Sequence, residues 1–135
     1  MSSESMVDQY LETALWSSMI SEGTEDAPGK RDGEPFDAYF AVSDFTAEAR
    51  SQAEAECAAF LALPGISDIC ARYDDGDIGH NLWLNRNGHG AGFWDGDFED
   101  AEGDGDKLSA AAESLGEVDL TVTKDAEGTE RVEFA

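Results

Sequence analysis

Lysine occurs at only three positions, Lys30, Lys107 and Lys124, and the chain carries 8 Lys+Arg against 31 Asp+Glu, a formal net charge of −23. A chain this poor in cations is repelled by DNA, RNA and anionic membrane surfaces unless salt screens it. Direct nucleic-acid binding is therefore not expected. No apolar run approaches the roughly 18 residues that a membrane-spanning helix needs. The start, Met1 to Tyr10, has neither a basic opening nor a long apolar stretch. Secretion and membrane insertion are not expected. Cysteine is nearly absent as well. Cys57 and Cys70 stand thirteen apart with no CxxC spacing, which reads as a reduced intracellular pair. No Ser/His/Asp, Cys/His or zinc-ligand constellation stands out, and neither GxGxxG nor a Walker A pattern occurs in the right context. No cofactor is expected.

What the chain does contain is enough apolar matter for a core. The apolar fraction is 41%, with 7 Phe, 3 Trp and 3 Tyr. That composition separates the chain from the disordered class despite its charge. At 135 residues the whole of 1–135 reads as a single domain.

Met6, Val7, Tyr10, Leu11, Ala14 and Leu15 recur at three- and four-residue spacing and predict a helix over about 5–19. Residues 21–33, rich in turn formers and charges, read as a mobile loop. Phe36, Tyr39 and Phe40 belong either to a short strand or to an irregular apron. Ser43, Asp44 and Thr46 offer N-caps for an alanine-rich helix over 47–63. Pro64-Gly65 ends that helix, and Ile66, Ile69, Cys70 and Tyr73 predict a shorter one beyond. Asp74, Asp75 and Asp77 read as an acidic turn.

Residues 78–96 alternate about Asn87-Gly88, a dipeptide that favours the type I′ turn, and so predict a hairpin. In that register Leu82, Leu84, Ala91 and Phe93 share the core face, while Trp83 and Trp94 share the other. Residues 95–106 form an acidic loop, a helix follows over about 107–115, and two alternating runs, Val118 to Val122 and Val132 to Phe134, predict a second hairpin. The fold class is α+β: three to four helices on a small, mainly antiparallel sheet built from two hairpins.

The predicted first hairpin collects the reactive side chains. Trp83, Arg86, His89 and Trp94 are the binding candidates: aromatic anchors on an uncovered face would suit a protein partner, although a helix covering that face is the simpler account of the two tryptophans. The same register sets His80 opposite Asp95, a general base with its orienter, but satisfied hairpin ends are the simpler account of these residues. Gly88, Gly90 and Gly92 could seat a ligand, but the acids beyond would repel a phosphate. Asp95, Asp97, Glu99 and Asp106 have some of the spacing of a calcium loop. Asp100 stands where such a loop needs glycine, so a solvated acidic turn is the simpler reading. No catalytic residue is assigned.

Two stretches, YLETALWSS from Tyr10 to Ser18 and HNLWLNRNGHGAGFWD from His80 to Asp95, resemble small proteins of tailed bacteriophages and prophages that usually have no assigned function. The resemblance is specific in these two stretches alone and brings no catalytic residues. It implies a cytoplasmic accessory protein, in a host cytoplasm if viral. The acid excess and scarcity of lysine look like a haloarchaeal or haloarchaeal-virus version. Three functions follow. The first is a non-enzymatic accessory or regulatory protein that binds a protein partner, its acids adapted to salt. The second is a DNA mimic directed at a nucleic-acid-binding host defence protein. The third is a small hydrolase or nuclease using His80, His89 and Asp95. Acids in every segment from Glu4 to Glu133 favour the first.

Overall fold

The computed structural model describes residues 3–20, 33–88, 93 and 103–134. Among these described residues five helices precede one hairpin: α1 (Ser3–Ser17), α2 (Ala47–Leu61), α3 (Ile66–Cys70), α4 (Asp75–Arg86), α5 (Asp104–Glu113), β1 (Leu120–Lys124) and β2 (Glu130–Phe134). The α+β expectation holds, with more helix and less sheet than expected. Short 3-10 turns at Phe36–Ala38 and Val42–Asp44 make the aromatic segment an irregular apron rather than a strand.

Helix α1 is the centre of the core. Met6, Val7, Tyr10, Leu11, Ala14 and Leu15 are all buried, as their spacing requires. Helix α2 starts where Thr46 Oγ1 accepts the Ala49 amide at 3.0 Å, and it buries Ala49, Ala53, Cys57 and Phe60. The chain reverses at Pro64-Gly65, where Gly65 has φ +78°. The hairpin pairs Leu120 with Phe134 and Val122 with Val132, antiparallel. Val132 turns inward, fully buried, and its carbonyl accepts the Thr46 amide at 3.0 Å, which ties the sheet to the start of α2. In the hairpin loop Asp125 accepts the Thr129 and Glu127 amides and the Arg131 guanidinium. The Thr129 amide above all, with those partners, holds its carboxyl below the usual range.

The expected first hairpin is a correction. Residues 75–86 are helix α4, and the described residues contain a single hairpin. Asp74, read as part of an acidic turn, is the N-cap, accepting the amides of Gly76 at 3.0 Å and Asp77 at 3.3 Å. Ile78, Leu82, Asn85 and Arg86 are buried on the helical repeat. Asn87-Gly88 closes the helix instead of turning a hairpin: Gly88 has φ +65°, and its amide reaches Asn85 O at 3.3 Å. Trp83, expected on the face away from the core, is 1% exposed. Residues 89–92 and 94–96, the rest of that predicted hairpin, lie outside the described residues, as do residues 21–32 of the predicted loop.

Helices α1 and α4 pack more closely than side chains normally permit. A Cβ on Gly79 would land on the Met6 carbonyl and lie 3.2 Å from the Tyr10 amide nitrogen. Glycine inside a helix costs about 1 kcal/mol relative to alanine. Here the close approach of a second backbone requires it.

Candidate functional site

The two stretches singled out in the sequence meet across the α1–α4 seam. Thr13 is fully buried; its hydroxyl accepts the Gln9 amide at 3.2 Å and lies 2.9 Å from His80 Nδ1. One turn further, the Trp83 indole N–H donates to Ser17 Oγ at 2.9 Å, and Tyr10 meets Trp83 edge to face with centroids 5.3 Å apart. Tyr10, Thr13 and Ser17 on α1 each meet a residue of α4, so the seam is specified in register as well as filled.

Trp16 stacks over the His80 ring at 5.6 Å and 29°. It nevertheless remains 42% exposed, and Met19 (56%) and Tyr39 (49%) are also large, apolar and exposed. Met19 bridges to Pro35, three residues before the end of the first 3-10 turn. Trp16 was not a site candidate in the sequence, yet the signal was there. It falls outside the buried stripe of α1, on a helix face that is otherwise polar.

Deeper in the seam, Arg86 forms the polar centre of the molecule. Its Nη1 donates to Tyr10 Oη at 2.8 Å and Glu56 Oε1 at 2.9 Å, and its Nε and Nη2 donate to the carbonyls of Gly116 and Leu115 at 2.7 and 3.0 Å. Tyr10 donates to the same Glu56 oxygen at 2.8 Å. Burial, reinforced by the Glu56 charge, holds the Tyr10 phenol far above its ordinary range. Arg86, expected as a surface binding residue, thus joins α1, α2, α4 and the end of α5 from inside the core. Glu56, on α2, is its counter-ion.

A second cluster anchors the start of α5. Arg72 Nη2 reaches both Asp104 oxygens at 2.6 Å, and Tyr73 Oη donates to Oδ2 at 2.7 Å. Asp104 belongs to the acidic run read as a solvated loop, but it is 2% exposed and opens a helix, where a negative charge is favoured.

Of the sequence candidates, Trp83 and Arg86 lie inside the core, and Asp106 is exposed in the first turn of α5. His89, Trp94, Asp95, Asp97 and Glu99 lie outside the described residues. His80 is set against Thr13 and Trp16, and the strand pairing that placed it opposite Asp95 does not exist. Among the described residues no group of three His, Cys, Asp or Glu side chains could hold a metal ion, and no helix is long and apolar enough to cross a membrane. Burial raises both thiols, Cys57 and Cys70, to about 12, with the charges of Glu56 and Asp75 adding to it respectively. They are inert at neutral pH.

Exposed carboxylates occur on every helix and most connections: Asp8 and Glu12 on α1, Glu48 and Glu54 on α2, Asp68 on α3, Asp77 on α4, Asp106 and Glu113 on α5, and Asp37, Asp74, Glu117 and Asp119 between elements. The four described arginines each contact a carboxylate. The described arginines are placed against carboxylates, and exposed acids remain on every helix. No protein-family model, curated protein or solved structure matches this chain.

Proposed function

We propose that this protein is a non-enzymatic accessory or regulatory protein that acts by binding another protein, with an acidic surface adapted to concentrated salt. The observation that carries the reading is the exposure of Trp16 and Met19 near one end of a helix whose other face is entirely buried. Aromatic side chains of this size supply most of the free energy at protein interfaces. The dispersal of carboxylates over every helix supports salt adaptation over nucleic-acid mimicry, which requires a continuous charged face. The phage-like resemblance agrees with an accessory role in a host cytoplasm and belongs to this same proposal.

Two measurements test the reading. Tagged protein, used as bait in high-salt lysate of its native host, is expected to retain a specific partner, and the Trp16→Ala, Met19→Ala double variant is expected to lose it without losing helicity. Capture that is indifferent to the double variant sinks the assignment of the face. Separately, the melting temperature is expected to rise between dilute buffer and molar KCl, because screening over roughly 3 Å relieves self-repulsion. A melting temperature that stays level or falls defeats the salt-adaptation half.

A further inference from the structure

A pocket of about 370 Å³ opens between the end of α2, α3 and the start of α4. That volume lies within the roughly 300–1,000 Å³ typical of small-molecule clefts. Leu61, Cys70 and Ala71 give the pocket an apolar body, and Ser67, Tyr73 and Asp75 add polar groups. Asp75 is the one charged residue in its lining. The neighbours that could have accounted for this carboxylate are engaged elsewhere: Asp74 caps α4, accepting the Gly76 and Asp77 amides, and Arg72 is bound to Asp104. Among the described residues the half-buried Asp75 side chain has neither a hydrogen bond nor an ion pair. Tyr73 is anchored beside the pocket, because its hydroxyl donates to Asp104. Burial chiefly, and the Asp75 charge after it, raises the Cys70 thiol to about 12, so that charge is felt at a buried wall of the pocket.

We propose that this pocket binds a small organic ammonium ion, with Asp75 as counter-ion to its head and the apolar wall against its carbon body. A single carboxylate at the border of a cavity favours a cation and repels phosphates and organic acids. A tyrosine in the same wall adds the attraction of an aromatic ring for a cation. The apolar body selects an alkylated ammonium over a bare metal ion, which takes several oxygen ligands. Asp75 offers the pocket's one carboxylate, and among the described residues no group of three His, Cys, Asp or Glu side chains could hold a metal. The inference is independent of the protein-binding reading, since Trp16 and Met19 do not line this pocket.

The probes are isopentylammonium and isopentanol, which share a carbon body and differ in charge. Each is titrated into the full chain at neutral pH while the Leu61 methyl signals are followed by NMR. Roughly 1 M KCl screens exposed charges to about 3 Å and suppresses diffuse attraction to so acidic a surface. The ammonium ion is expected to give saturable shifts and to bind at least about tenfold more tightly than the alcohol, roughly 1.4 kcal/mol. Asp75→Asn keeps the shape of the side chain and is expected to remove most of that preference. Asp77→Asn neutralises an exposed carboxylate of the same helix that does not line the pocket, and is expected to leave binding unchanged. Should Asp75→Asn misfold, Ser67→Phe fills the pocket from an exposed position and is expected to weaken ammonium binding at least about tenfold. No saturable shift, equal binding of the alcohol, indifference to Asp75→Asn or Ser67→Phe, or an equal loss in Asp77→Asn overturns the proposal. None of these outcomes touches capture of a protein partner through Trp16.

Discussion

At Arg86 the arginine is the buried member of its cluster, with its side chain 5% exposed against 20% for Glu56; at Arg72 the order is reversed, with Asp104 3% exposed and the arginine 41%. Each cluster adds one tyrosine hydroxyl, from Tyr10 and from Tyr73 respectively. The chemistry is the same and the mechanical role is different. Arg86 gathers four parts of the chain, and water cannot replace its contacts without opening the core. Arg72 is a clamp at the rim, fastening the first turn of α5 to the end of α3 while its own head stays in solvent. In a chain with 8 basic residues, both devices use arginine, whose planar head serves several acceptors at once.

The largest effect follows from the inner cluster. Arg86→Ala takes the counter-ion from Glu56, which keeps the Tyr10 hydroxyl as a donor, and leaves the Leu115 and Gly116 carbonyls without theirs; removing one partner of a buried pair typically costs about 3–5 kcal/mol. Urea unfolding monitored by circular dichroism is expected to show that loss as a lower midpoint with little change in slope. A loss smaller than that of Arg72→Ala reverses the comparison.

Next comes the alkaline limb. Cys57 adjoins the inner cluster and Cys70 precedes the outer one by two residues. Both thiols rise from an ordinary 9.0 to about 12 on folding. A raised folded value means that the native state holds its proton longer than the unfolded chain does. The stabilisation is full below pH 9 and is lost as pH rises toward 12. The two thiols together account for about 2–3 kcal/mol by pH 10, and the raised Tyr10 phenol acts in the same direction. Cys57→Ala is expected to flatten that slope by about half, whatever it does to stability at pH 7. An unchanged slope removes Cys57 from the account.

These buried polar groups also explain what could be read in the sequence. Helices α1, α2, α3 and α5 and the final hairpin were legible because Ala, Leu, Ile and Val repeat at the right period between clear punctuation at Pro64-Gly65 and Gly116. Helix α4 was not. Its buried face includes Asn85 and Arg86, so a reading that equates burial with apolarity sees only Leu82, Trp83 and Leu84, which mimic a strand. Gly76 and Gly79 lower its helix propensity, and Asn87-Gly88 advertises a turn that the fold uses as a helix terminus. The corrective signal was Asp74 as an N-cap, with buried positions at 78, 82, 85 and 86. The site suffered for the same reason. Once the strand becomes a helix, Trp83 and Arg86 turn inward, and Trp16, excluded from the apolar stripe of α1, is left as the exposed aromatic of the seam.

Arg72→Ala tests the rim. Asp104 keeps Tyr73 as a donor and water can reach the place the guanidinium leaves, so the expected loss is about 1–2 kcal/mol, below that of the buried pair.

The smallest effect is the most discriminating, because it asks whether the two clusters feel the solvent differently. With its guanidinium 41% exposed, the Arg72–Asp104 pair is open to screening, whereas Arg86 at 5% is not. Between roughly 0.1 and 1 M KCl the Debye length falls from about 10 to about 3 Å. The penalty for Arg72→Ala is expected to shrink by about 0.5 kcal/mol over that range, of the order of one exposed ion pair. The penalty for Arg86→Ala is expected to hold steady. Unfolding each variant beside the wild type at both salt concentrations cancels the general salt dependence of so acidic a chain and leaves only the local term. Equal salt sensitivity at the two sites would mean that water reaches Arg86 as readily as Arg72, and the division into an inner and an outer cluster would then be lost.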